Sequence, residues 1–182
     1  MGNEQPKLLS ELEEILENKD MVSLEEFAST YPQYINAKIF EKGTNALCRA
    51  TNLESLPMVQ LLIKYGADVN LPSSNGNTPL MWAARNNDVQ IMELLITHGV
   101  NIEARNKEGF SALDLAVSNM SYKTAHILLQ KEAILRTSDE YKNLGVQFNV
   151  HKFIGCLKSN KIVDDMSIFY DPQSSNFLRR PR

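Results

Sequence analysis

A five-residue pattern that returns every 33 residues constrains this chain more than any other feature. Gly43-Thr44-Asn45-Ala46-Leu47 is echoed by Gly76-Asn77-Thr78-Pro79-Leu80 and again by Gly109-Phe110-Ser111-Ala112-Leu113. Gly66 and Gly99 keep the same interval. A unit of that length is one supersecondary element that cannot bury its apolar face alone, so it must stack on copies of itself. Such a stack offers a surface for gripping another macromolecule rather than a pocket for chemistry.

The middle unit, Asn75 to Asn106, shows how each copy is built. Thr78 suits an N-cap, Pro79 the first helical position that follows, and Leu80, Ala83 and Ala84 share one face of a short helix. After a turn at Arg85-Asn86-Asn87-Asp88, residues Val89, Ile91, Met92, Leu94, Leu95 and Ile96 predict a second, more heavily buried helix, ended by Gly99. The stretch from Val100 to Gly109 is an extended finger, with Asn106 and Gly109 (earlier Asn75 and Gly76) suited to a tight hairpin-like turn. The preceding unit has Asn45 as cap, Leu47 and Ala50 in its first helix, and Met58, Val59, Leu61, Leu62 and Ile63 in its second, with Pro57 in the first turn. The following unit has Ser111 as cap, Leu113, Leu115 and Ala116 inside, then Ile127, Leu128 and Leu129. Its terminating position holds Glu132, which predicts loss of the left-handed cap and an end to the regular stack there.

Residues 1–35 read as an N-terminal capping helix pair, its helices lying within 7–35. Leu9, Leu12, Ile15 and Leu16 share one face, and Val22, Leu24, Phe27 and Ala28 follow a turn at Asn18-Lys19-Asp20. The other side, with Glu11, Glu13, Glu14 and Glu17, is polar, as the end of a stack requires. The repeats occupy 36–132, in three units starting near 40, 73 and 106. Residues 133–182 break the period. There Phe148, Val150, Phe153, Ile154 and Leu157 predict a short closing helix, and the stretch after Met166 an extended tail.

Bulk properties narrow the function further. Net charge is −3 and the only basic cluster, Arg179, Arg180 and Arg182, is short, so nothing draws the chain toward nucleic acid. No apolar stretch reaches the length of a membrane helix. The acidic N-terminal thirty residues do not resemble a signal or transit peptide. Gly2 is a potential lipid acceptor, but Pro6 stands where that motif wants Ser or Thr. Cys48 and Cys156 read as free thiols in a reducing compartment, so the protein is expected inside the cell, in the cytoplasm.

The run from Asn75 to Ala84 ending in Leu94-Leu95-Ile96-Thr97-His98-Gly99 resembles an ankyrin repeat, and Leu61 to Asn70 is similarly close to the family's end-of-repeat pattern. The resemblance covers 36–132, extends more weakly over 7–35, and stops near 135. It implies an all-α solenoid of stacked helix pairs with hairpin-like fingers, followed by a non-repeat C-terminal extension. The family usually places His after its Thr-Pro-Leu triplet; Cys48, Met81 and Asp114 stand there, so the stability from that histidine is expected to be missing.

The resemblance also implies a curved array that binds protein partners through its finger tips and the exposed side of its first helices. Carried onto this chain, those positions are Glu41, Lys42, Thr44, Asn52 and Leu53; then Ser74, Asn75, Asn77, Arg85 and Asn86; then Arg105, Lys107, Glu108, Phe110, Ser118 and Asn119. Most are polar, so the groove would be hydrogen-bonding in character. Arg85, Arg105 and Phe110 stand out, because hot spots favour arginine and aromatics and a finger-tip Phe has little core to enter. Trp82 is assigned to the core of the first helix.

Catalysis finds no footing in the sequence. His98, His126 and His151 have no metal-type spacing with each other or with a cysteine, and no phosphate-binding Gly-rich loop, nucleophile elbow or paired carboxylate motif occurs. No cofactor is expected. Three interaction roles fit: an adaptor or scaffold gripping a partner with the concave face, a structural subunit of a large assembly with its C-terminal tail docked on neighbours, or an inhibitor occluding a partner's active site.

Overall fold

The computed structural model describes residues 5–38 and 43–144 together with Lys152. The expected helix around Phe148 to Leu157, the tail beyond it, and Glu41 and Lys42 lie outside the described residues. Within them the regular elements are helical, with one isolated antiparallel bridge between Lys38 and Asn45. The order is α1 (Gln5–Glu17), α2 (Met21–Thr30), a 3-10 turn at Pro32–Tyr34, α3 (Ala46–Asn52), α4 (Leu56–Lys64), α5 (Pro79–Asn86), α6 (Val89–Thr97), α7 (Ala112–Ser118), α8 (Tyr122–Gln130) and α9 (Ser138–Asn143). This is the all-α stacked repeat that the 33-residue period predicts.

Local chemistry starts the first helices where expected. Asn45 Oδ1 accepts the Cys48 N–H at 2.9 Å, Thr78 Oγ1 that of Met81 at 3.4 Å, and Ser111 Oγ that of Asp114 at 3.2 Å. Asp20 and Asp88 cap α2 and α6 in the same way. The helices then pack in two rows. First helices α1, α3, α5 and α7 touch in sequence, and second helices α2, α4, α6 and α8 form the row behind them. Ala46, Ala50, Ala83, Ala84, Ala112 and Ala116 are all buried in the first row, where the absence of larger side chains lets neighbouring helices close up.

The first helix, not the second, is the more deeply buried. α5 buries Pro79, Leu80, Met81, Ala83 and Ala84, whereas α6 buries only Ile91, Met92 and Leu95. α5 is packed by α3, α6 and α7 at once, while Gln90, Glu93 and Thr97 of α6 face solvent. In the N-terminal pair, Leu12, Ile15, Leu16, Leu24, Phe27 and Ala28 join the core, but Val22 is 79% exposed. α2 begins at Met21, so Leu24, Phe27 and Ala28 share its inner face and Val22 points away from it.

The expectation at Glu132 is overturned. Gly66 (φ +87°) and Gly99 (φ +76°) end their units in the left-handed region, and Glu132 does the same without being glycine (φ +63°). The chain therefore runs on from α8 in the established manner: Ala133 is buried, the Ile134 N–H donates to Glu103, and α9 follows behind a Thr137 cap. The same strain recurs inside the units. Glu54, Asn87 and Met120, 33 residues apart, turn each first helix into its second with φ of +54°, +58° and +58°. Only asparagine among them tolerates that conformation readily.

Side chains lock each unit to the next. Asn36 donates to the Gly66 carbonyl at 3.0 Å and accepts the Asp68 N–H at 2.8 Å. Asn70 repeats this on Gly99 and Asn101, at 3.5 and 2.7 Å. Glu103, an acceptor only, holds Ile134 at the third step. The fingers are stitched as well: Ser74 N–H donates to the Gly43 carbonyl and Lys107 N–H to the Asn75 carbonyl. Gly76 sits at that seam with φ +80°, and a Cβ there would fall 2.9 Å from the Lys107 nitrogen.

Two substitutions test these backbone assignments by urea denaturation. Glu54→Gly removes a left-handed exposed glutamate and raises stability by about 0.5–1 kcal/mol. Gly76→Ala, which meets both strain and neighbouring backbone, lowers it by about 2 kcal/mol. Opposite signs would contradict the conformations described.

Candidate interaction surface

Residues 82, 85 and 86 of α5 are spaced by three and four, so they share one side of that helix while Leu80, Met81, Ala83 and Ala84 face the core. The 33-residue period places Arg49, Asn52 and Leu53 of the α3 unit, and Leu115, Ser118 and Asn119 of the α7 unit, in register with them. All nine are half-buried. Together with the finger tips they form a contiguous strip along the first-helix row.

Much of the strip's hydrogen-bonding capacity is already used within the protein. Asn86 donates to the Asn52 carbonyl at 3.4 Å, tying α5 to the end of α3. Ser118 and Asn119 donate to the Asp114 and Leu115 carbonyls of their own helix. Lys19 caps the strip's edge by donating to the Leu53 carbonyl, and Ser121 and Thr124 donate to the Arg85 and Ala84 carbonyls. These bonds add side-chain donors to carbonyls at or near the helix ends. Arg49 is drawn toward the N-terminal pair, where both nitrogens of its fork meet the Glu17 carboxylate. That pairing holds the Glu17 carboxyl below the usual range.

At the fingers, backbone pairing of Ser73 with Asn77 and of Asn106 with Phe110 closes the tight turns that the sequence predicts. Asn106, buried, accepts from the Glu108 and Phe110 N–H groups and donates to Asn77 at 2.8 Å. Ser74, Asn75, Lys107 and Glu108 are exposed, and Thr44 is half-buried. Phe110 departs from expectation: it is half-buried and packs against the core.

Trp82 departs in the other direction. It is half-buried and stands outside the core cluster. The Arg85 guanidinium lies over its ring, 5.5 Å from the centroid, and its indole N–H has no acceptor among the described residues. The sequence reading missed this residue because an aromatic in a short buried helix looks like core. Its place one step before the Ala83-Ala84 pair, in register with Arg49, is the signal that could have placed it outward.

The positions where the family's histidine usually sits are occupied by working substitutes. Cys48 is a buried free thiol whose Sγ faces the Leu71 and Asn77 carbonyls at 3.8 and 3.6 Å. Burial pushes its pKa up to about 12, which leaves it protonated and unreactive. Asp114 does more. Fully buried, it accepts the Ser111 N–H at 2.8 Å, Arg136 Nε at 2.9 Å and Arg105 at 3.4 Å, while both arginines also donate to the Gly109 carbonyl. The last finger and the segment before α9 are thereby fastened to one carboxylate, and Arg105, expected as a contact residue, is partly committed to this cluster. Arg136 lies 22 residues from Asp114, too far along the chain for the pairing to be legible in advance.

Among the described residues no three His, Cys, Asp or Glu gather as metal ligands, and no helix is long and apolar enough to cross a membrane. Arg136→Ala should cost about 2–3 kcal/mol in urea denaturation, since it leaves a buried carboxylate with only Arg105. Asp114→Asn added to it should recover part of that loss. Unchanged stability for Arg136→Ala would show that 133–137 is not held by this cluster.

A family model describing ankyrin repeats in three copies matches residues 47–139, past the limit near 135 expected from the sequence. An ankyrin repeat protein of fowlpox virus (strain NVSL) is 39% identical over 70 residues, 38% of this chain and 17% of that protein. Ankyrin repeat domain-containing protein 63 of Mus musculus is 35% identical over 82 residues, and its Homo sapiens counterpart 34%, covering 43% of this chain in each case. The matched stretch spans only about a fifth of these relatives' own length.

Proposed function

The chain belongs to the ankyrin-repeat family, whose repeats generally serve as protein–protein interaction modules, and from that premise we propose that it is a non-catalytic adaptor or scaffold gripping a protein partner along the first-helix row and finger tips. The observation that carries this reading is the strip in register across α3, α5 and α7, built on fully buried alanines and stitched finger to finger. A surface so constrained loses little freedom when a partner seats on it, and that favours binding. Ser74, Asn75, Arg85, Lys107 and Glu108 supply its solvent-facing polar groups. A cytoplasmic setting belongs to the same proposal and is supported by the buried free thiol of Cys48.

Charge reversal on the two faces of the stack tests it. Arg85→Glu with Lys107→Glu alters the strip, and Gln90→Lys with Glu93→Lys alters the exposed side of α6. Quantitative mass spectrometry of proteins captured from cell lysate should show partners lost with the first pair and retained with the second. Retention with the first pair and loss with the second would place the interface on the opposite face.

A further inference from the structure

The helical part of the strip, apart from the finger tips with Lys107 and Glu108, has a definite chemical polarity. The chain carries 22 acidic against 19 basic residues, yet α3, α5 and α7 expose no carboxylate: their only acid, Asp114, is fully buried. Their other charged residues are Arg49 and Arg85. Arg49 is satisfied by Glu17, but no carboxylate among the described residues pairs with Arg85. The acidic side chains are concentrated elsewhere, as in Glu11, Glu13, Glu14 and Glu17 of α1.

Beside Arg85 stands the half-buried ring of Trp82, outside the core cluster. The Trp82 indole N–H is shut off from solvent and makes no hydrogen bond among the described residues. That N–H is out of a partner's reach, but a guanidinium stacked on a ring keeps its in-plane N–H groups free to donate. A carboxylate at the outer edge of the Arg85 guanidinium would accept from it, while the half-buried indole ring beneath supplies apolar contact. Lysine would be repelled there, and a neutral side chain would leave the guanidinium unpaired.

Resting on the proposed function, we propose that the partner presents a segment in which an Asp or Glu side chain flanked by apolar residues seats at Trp82 and Arg85. The indole is the anchor and the guanidinium selects the charge. Trp82 is thus a contact residue of the strip, and its role is to bind.

The chain contains a single tryptophan, so Trp82 reports on its own occupancy. The full-length protein is used to select from a random 12-residue peptide library displayed at the N-terminus of a phage coat protein, a format with side-chain carboxylates but no free peptide C-terminus. Enriched sequences should carry Asp or Glu beside apolar residues. As synthetic peptides they should shift Trp82 emission, bind at least about tenfold more weakly to Arg85→Glu, and lose affinity as salt rises. Arg85→Lys, which keeps charge without the planar fork, should bind between the two. Selection of basic or neutral sequences, binding that leaves Trp82 emission unchanged, or equal binding by Arg85→Glu would each overturn the proposal. Absence of any enriched peptide would overturn it too. The broader assignment of the interface would still stand or fall separately, on the two-face capture experiment.

Discussion

The structure depends on close contact between successive first helices. Alanine at the facing positions of α3, α5 and α7 gives up hydrophobic area per residue but lets adjacent helices and their fingers approach without gaps. Everything that follows uses that proximity. Asn86 can reach the end of α3, Thr124 and Ser121 can reach the end of α5, and Asn106 can reach Asn77 only because the units sit this near to one another. Larger residues at these positions would separate the units and break these bonds.

The cost of the architecture is concentrated in the turns. Each first helix reverses into its second through a left-handed residue, Glu54 and Met120 among them, and Glu132 closes its unit in the same conformation, all three without the freedom of glycine. Polar clamps offset the strain. Asn36 and Asn70 bind the end-of-unit turn of the following repeat through both amide groups, and Glu103 does so with an acceptor alone. Beyond the last regular unit, Arg136 takes over by reaching back to Asp114 and Gly109. In a quasi-one-dimensional stack, such nearest-neighbour bonds decide how far order extends.

What could be read in the sequence was local. The caps at Asn45, Thr78 and Ser111, the Pro79 helix start and the hairpin turns at the fingers each depend on neighbours within a few residues, and the helix-pair stack follows from their period. What could not be read was non-local. Asn36 gives no hint of its hold on Gly66, Asp114 needs an arginine 22 residues away, and Glu132 takes the left-handed turn without being glycine. At the candidate surface, Phe110 and Trp82 are both half-buried, Phe110 packed against the core and Trp82 outside it. An exposed loop position suggested a free aromatic and a helix suggested a buried one, but side-chain direction relative to the stack decided both.

The first-helix row is therefore the rigid element of the protein and the second row its softer support. Native-state hydrogen exchange measures this directly, because local openings are distinguished from global unfolding residue by residue. Backbone amides of α5 should exchange only through the largest unfolding event the protein shows, with protection above that of α4 and α6. Exchange of α5 amides through smaller openings than those of α4 and α6 would contradict it.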